Sequence, residues 1–170
     1  MGNREQVDII NISFGVSDAD ESLEQVIYKA LSSNIVVVAA AGNTFGLTVE
    51  YPAKYEGVYS ISAVDENLKL YSHSARGKID YVFPGVNVPV INHHEELELQ
   101  SGTSFATAYA TGILSLILQN NNNLDDYLRC SSKKLEPVNK LVKGSFKLNT
   151  REDAYKKDPI IINYYCFINN

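Results

Sequence analysis

The stretch Ile35-Val36-Val37-Val38-Ala39-Ala40-Ala41-Gly42-Asn43 decides the fold class. Its apolar residues run on without a polar break. A strand with one wet face alternates apolar and polar residues, whereas an unbroken run closed by a turn signal reads as a strand covered on both faces, as in a parallel sheet. Gly42-Asn43 supplies the turn signal, because both residues tolerate left-handed backbone. Immediately upstream, Leu23, Val26, Ile27, Ala30 and Leu31 recur at i, i+3, i+4, i+7 and i+8, the spacing of an amphipathic helix with one buried face. Asp20 or Ser22 is placed to cap it. Before that helix, Val7 to Ser13 is rich in β-branched residues and reads as a strand, ended by Gly15 and the polar run Ser17 to Glu21. Strand, helix, covered strand is an α/β unit with a right-handed crossover.

Downstream, Val58 to Val64 and Ile79 to Phe83 read as further strands. Asn87 to Ile91 and Glu95 to Gln100 form the arms of a short hairpin around Asn92-His93-His94. Ser104 to Gln119 is a second helix, with Phe105, Ala108, Ile113, Leu116 and Ile117 among its apolar positions. Asn120 to Asn123 is a polar stop, Leu124 to Cys130 a short helix, and beyond Ser131 the periodicity fades. Ile160 to Asn170 is apolar without a helical period, an extra strand or a tail. The expected architecture is α/β: three layers, with a mostly parallel sheet flanked by helices.

Composition narrows the function classes. The chain has 170 residues, 45% hydrophobic and 21% charged, which suits one domain with a packed core. Fifteen Lys and Arg against 20 Asp and Glu leave a formal charge of −5, so no basic field exists to displace counterions from a nucleic acid. The two cysteines, Cys130 and Cys166, are too few for a disulfide framework or a CxxC metal site. His93-His94-Glu95 does not have HExxH spacing, so no metal is expected among side chains. No apolar run reaches the roughly 18 residues of a membrane-spanning helix. Met1 leads into Gly-Asn-Arg-Glu-Gln-Val-Asp, without the cationic head and apolar centre of a signal peptide. The compartment is left open, since a longer parent chain can carry its own signal.

Two segments carry chemistry. In Gly102-Thr103-Ser104-Phe105-Ala106-Thr107 a serine stands where a loop turns into a helix. The first N–H groups of a helix lack intrahelical acceptors and its dipole favours negative charge, so an alkoxide or tetrahedral oxyanion is stabilised there. The plain alternative is that Thr103 or Ser104 only caps the helix. In Ala40-Ala41-Gly42-Asn43 a covered strand ends on Gly then Asn, and in open parallel sheets ligands sit beyond the carboxyl ends of strands. The Asn43 amide is a suitable oxyanion donor. The plain alternative is a Gly-Asn turn.

Taken together and in order, Asn11-Ile12-Ser13-Phe14-Gly15, Ala40-Ala41-Gly42-Asn43, Tyr51-Pro52-Ala53-Lys54-Tyr55, Ser62-Ala63-Val64, Pro84-Gly85-Val86 and Gly102-Thr103-Ser104 resemble the subtilisin-like serine proteases, the subtilases. The resemblance implies a partial catalytic domain over residues 1–156, best matched over 7–119, followed by a tail over 157–170. It implies Ser104 as nucleophile and Asn43 as oxyanion donor. It also implies Ser13, Phe14 and Gly15 on one side and Ala40, Ala41 and Gly42 on the other as walls of the primary specificity pocket, binding an extended peptide by main-chain pairing. Phe14 and the small second wall permit an apolar side chain. The Tyr51-Pro52 bond is cis in the family. Backbone carbonyls of Ala53, Tyr55 and Val58 correspond to a Ca²⁺ or alkali-cation site. Ala108 and Tyr109 replace the Pro and His that follow the nucleophile in many subtilases, a change the first helical turn tolerates. Gly144 to Ala154 loosely matches the family's closing segment, and the family is often secreted.

A serine hydroxyl needs a positioned base and an orienting partner. The family's Asp-Thr/Ser-Gly and His-Gly-Thr-His segments are absent, and no histidine precedes Asn43. His73, His93 and His94 all fall between Asn43 and Ser104, outside the base position. The chain therefore resembles the C-terminal portion of a subtilase, and alone it is expected to hydrolyse peptides slowly or not at all. One function that follows is a serine endopeptidase part, of the lantibiotic leader peptidase type, acting on a peptide or protein substrate with a complementary N-terminal half as partner. The other is a pseudo-protease that binds a peptide or partner without cleaving it. A nucleotide-binding α/β domain with a chance serine has no GxGxxG or GxxxxGK[ST] to support it.

Overall fold

The computed structural model describes residues 7–119. The element order is β1 (Ile9–Ile12), α1 (Glu21–Ser32), β2 (Val36–Ala40), β3 (Tyr59–Val64), β4 (Tyr81–Pro84), β5 (Val88–Ile91), β6 (Leu97–Gln100) and α2 (Thr103–Gln119). β1 to β4 form one parallel sheet in chain order, with Ile9 opposite Val36, Val38 opposite Tyr59 and Ile61 opposite Tyr81. β5 and β6 form a separate antiparallel ladder, Val88 opposite Gln100. The expected helix over Leu124 to Cys130, the Gly144 to Ala154 match and the tail over 157–170 lie outside the described residues.

The unbroken apolar run of β2 now has its cause. Successive side chains of a strand point to opposite faces. Val37, Ala39 and Ala41 pack with Ile12, Ile27, Val49, Ala53, Tyr55 and Val58 on the side of α1. Val38 packs with Ile61, Tyr81 and Phe83 against Ala106, Ala110, Leu114 and Ile117 of α2 on the other. Both faces are dry, so neither set of positions is polar. The result is the expected three-layer α/β arrangement.

Asp20 is the α1 cap: its carboxylate accepts the Leu23 N–H at 2.7 Å, while Glu21 and Glu24 lie in the first turn and Lys29 in the last, each favourably placed on the helix dipole. The expected buried stripe needs one correction. Leu23, Ile27, Ala30 and Leu31 face the core, but Val26 is 59% exposed. It stands about 100° round the helix from Ile27, beyond the face that meets the sheet. β1 is also shorter than expected, since pairing with β2 begins at Ile9 and ends at Ile12.

The link from β2 to β3 is a fixed loop. Tyr51–Pro52 is cis. The Tyr55 hydroxyl donates to Asp20 O at 3.1 Å, and burial pushes this phenol above its ordinary value. The carbonyls of Ala53 and Val58, considered above for a cation, accept hydrogen bonds from Lys78 Nζ at 3.2 and 2.5 Å, and the same ammonium pairs with Asp80 at 2.8 Å. Tyr55 O accepts the Val58 N–H at 3.4 Å. Among the described residues no helix is long and apolar enough to cross a membrane.

Candidate active site

The site forms where the carboxyl end of β2 meets the start of α2. After Ala40 the chain turns at Gly42, whose φ of +105° is left-handed backbone that glycine adopts without steric penalty. The Gly42 N–H donates to Thr103 Oγ1 at 3.3 Å. The next residue, Asn43, points its side-chain carbonyl at α2: Oδ1 accepts the Thr103 N–H at 3.0 Å and the Thr103 hydroxyl at 3.3 Å. Because a backbone N–H needs an acceptor, this contact sets which end of the amide faces the helix. The donor end, Nδ2, lies beside Gly102, where a Cβ would stand only 3.3 Å from it.

Ser104 is the next residue along. Its Oγ donates to Ser13 O at 2.8 Å, and Ser13 Oγ donates back to Ser104 O at 3.2 Å. These reciprocal bonds fasten the wall after β1 to the first turn of α2. Neither the Thr103 nor the Ser104 hydroxyl is spent as a plain cap in these contacts: both reach to other segments. The first turn of α2 contains no acidic residue, so its own side chains do not neutralise the positive end of the helix dipole. Thr103 and Thr107 are fully buried, and Thr107 Oγ1 donates to Thr103 O at 2.7 Å, keeping a polar interior satisfied beneath the site.

Ser104, Asn43, Ser13 and Gly42 are therefore brought together. Ala40 and Ala41 lie buried at 2% and 0% exposure, and Phe14 is exposed. Gly15 and Gly42 both abut the side chain of Glu50. The histidines go elsewhere. His73 packs edge-on to Phe45 and Tyr71, at 4.4 and 4.8 Å between ring centres, and His93 and His94 lie against each other, their rings tilted, at the hairpin turn at 3.8 Å. Among the described residues no group of His, Cys, Asp and Glu is placed to hold a metal.

Thr103 and Glu50 were missed as site residues by the sequence reading. Thr103 passes for an ordinary cap residue until its 60-residue reach to Asn43 is seen. Glu50 had one available signal, its place directly before Tyr51-Pro52 in a segment already singled out.

A Subtilase family model matches residues 3–139. A thermostable alkaline protease of Halalkalibacterium halodurans is 39% identical over 110 residues, covering 64% of this chain and 30% of that protein. Subtilisin DY of Bacillus licheniformis is 38% identical over 117 residues, covering 66% and 43%. Among solved structures, the prenylagaramide maturation protease PagA superposes with a TM-score of 0.64 at 27% identity, over 73% of this chain and 51% of that one. The chain spans less than half the length of these two curated relatives. With the family model matching most of the sequence and the parallel sheet shared with a solved protease, the chain belongs to the subtilase family.

Proposed function

We propose that this chain is the nucleophile-bearing part of a subtilisin-like serine endopeptidase that processes precursor peptides. Ser104 is the nucleophile, and Asn43 Nδ2 is the donor to the oxyanion formed when Ser104 Oγ adds to a peptide carbonyl. The observation that carries this reading is the anchoring of Asn43 Oδ1 on the N–H of Thr103, the residue adjoining Ser104. A donor held in place before the reaction stabilises developing charge without reorganising. The helix start at Ser104 adds N–H groups and a favourable dipole at the same point.

The hydroxyl still needs a base. In this chain it donates to Ser13 O, a carbonyl that cannot take its proton away. Alone, the chain hydrolyses peptides slowly or not at all, and a complementary segment carrying Asp and His is its partner. The edge of the sheet supports such a partner: among the described residues, β1 is paired only with β2, leaving a row of backbone groups suited to another strand. Similarity to a protein named as a maturation protease favours a precursor peptide as substrate.

The test is labelling with a fluorophosphonate, which reports an activated serine. The 170-residue chain is treated alone and after mixing with an N-terminal half of a subtilisin that contains Asp and His. Labelling at Ser104 appears only in the mixture and disappears in Ser104→Ala. A folded complex that stays unlabelled overturns the protease reading and leaves a pseudo-protease that binds peptides.

A further inference from the structure

The two segments that the family resemblance makes walls of the primary pocket both abut one carboxylate. A Cβ built on Gly15 would lie 2.6 Å from Glu50 Oε2 and 2.7 Å from Glu50 Cβ. One built on Gly42 would lie 2.8 Å from Glu50 Cδ and 2.9 Å from its Cγ, and closer still to Oε2. Real Cβ atoms do not approach other atoms so closely, so glycine at both positions leaves the room that this side chain fills. The backbone delivers it there. The Glu50 N–H donates to Ala41 O at 2.9 Å, tying Glu50 to the second wall. Tyr51, the next residue, exchanges N–H···O bonds of 2.9 Å with Val16, just after the first wall. Glu50 is half-buried, and among the described residues the salt bridge formed is Lys78–Asp80, so none of their cations is paired with it.

A carboxylate partly withdrawn from water and left without a cation is a poor floor for an apolar side chain, which would strip its hydration and return no hydrogen bond. It suits a long cationic one: a guanidinium presents paired N–H donors that match two carboxylate oxygens, and an ammonium supplies a point charge. Building on the protease reading, we infer that Glu50 determines specificity in the primary pocket, selecting arginine or lysine on the amino side of the cleaved bond. This replaces the apolar preference that Phe14 and the small second wall permit. Every group in the inference lies within the described chain, so no complementary half is needed to test it.

The probes are fluorescein-labelled tetrapeptides differing only in a C-terminal arginine, citrulline or phenylalanine, titrated by fluorescence anisotropy into the 170-residue chain. Citrulline keeps the shape of arginine and removes its charge. Arginine binds about ten- to a hundredfold more tightly than citrulline or phenylalanine, the range of a charge-assisted hydrogen bond. Glu50→Gln abolishes that difference, and Glu50→Asp retains part of it. Equal binding of arginine and citrulline by the native chain, tighter binding of phenylalanine, or no binding of any peptide overturns the inference, and each result stands even if Glu50→Gln fails to fold. Fluorophosphonate labelling is indifferent to the peptide side chain. A labelled Ser104 without arginine selectivity removes this inference alone, and arginine selectivity without labelling removes the protease reading alone.

Discussion

α1 and α2 cover opposite faces of one sheet, yet they are built differently. α1 is a cover: Leu23, Ile27, Ala30 and Leu31 form its buried stripe, its polar residues face water, and its cap is local, from Asp20 to Leu23. α2 sends Ala106, Ala110, Leu114 and Ile117 into the core, but it is more than a cover. At its amino end it buries Thr103 and Thr107 and sends hydroxyls to Gly42, Asn43 and Ser13. Burying hydroxyls is unfavourable unless each is hydrogen-bonded. Buried, hydrogen-bonded hydroxyls therefore distinguish the amino end of α2, the end at which the proposed nucleophile stands, from α1.

This contrast can be broken or sharpened by substitution. The largest stability effects fall on both helices alike: Leu114→Ala in α2 and Ile27→Ala in α1 each lower the unfolding free energy by about 2–5 kcal/mol, measured by urea denaturation. Similar losses establish that the helices are equal as covers. Next comes Thr103→Val, which strands the Gly42 N–H and removes the hydroxyl's contact with Asn43 Oδ1 while leaving the backbone N–H contact in place. It costs about 1–3 kcal/mol of stability and slows, without abolishing, fluorophosphonate labelling of the complemented chain. A labelling rate unchanged in Thr103→Val would show that the buried hydroxyl serves stability alone. Asp20→Ala removes the α1 cap, lowering stability by about 1 kcal/mol with labelling unchanged once the chain is folded. The smallest effect is Val26→Lys, within about 0.5 kcal/mol of the parent because the site is exposed. A loss above that would return Val26 to the buried stripe.

The strands and helices were legible because their signals are local. The β2 run shows both its periodicity and its turn within residues 35–43, and the hairpin arms were expected within two residues of their observed starts. Asn43 and Ser104 were legible as candidates because strand ends and helix starts are where such residues do chemistry. The fault at Val26 arose where helical spacing alone cannot tell how wide a face the sheet covers. Glu50 escaped notice because a lone glutamate in a loop looks like any solvated charge until its neighbours are known.

From the sequence by itself came the α/β class, the order of the elements, the nucleophile and oxyanion candidates and the family likeness, all properties of short segments and their succession. Only the tertiary structure decided that Thr103 grips Asn43 across 60 positions, that Ser104 and Ser13 bond across 91, and that Gly15 and Gly42 close on the same carboxylate. The reason is physical: hydrogen bonds and steric room depend on where the parallel register and the two dry faces place distant residues, and no local spacing encodes that distance.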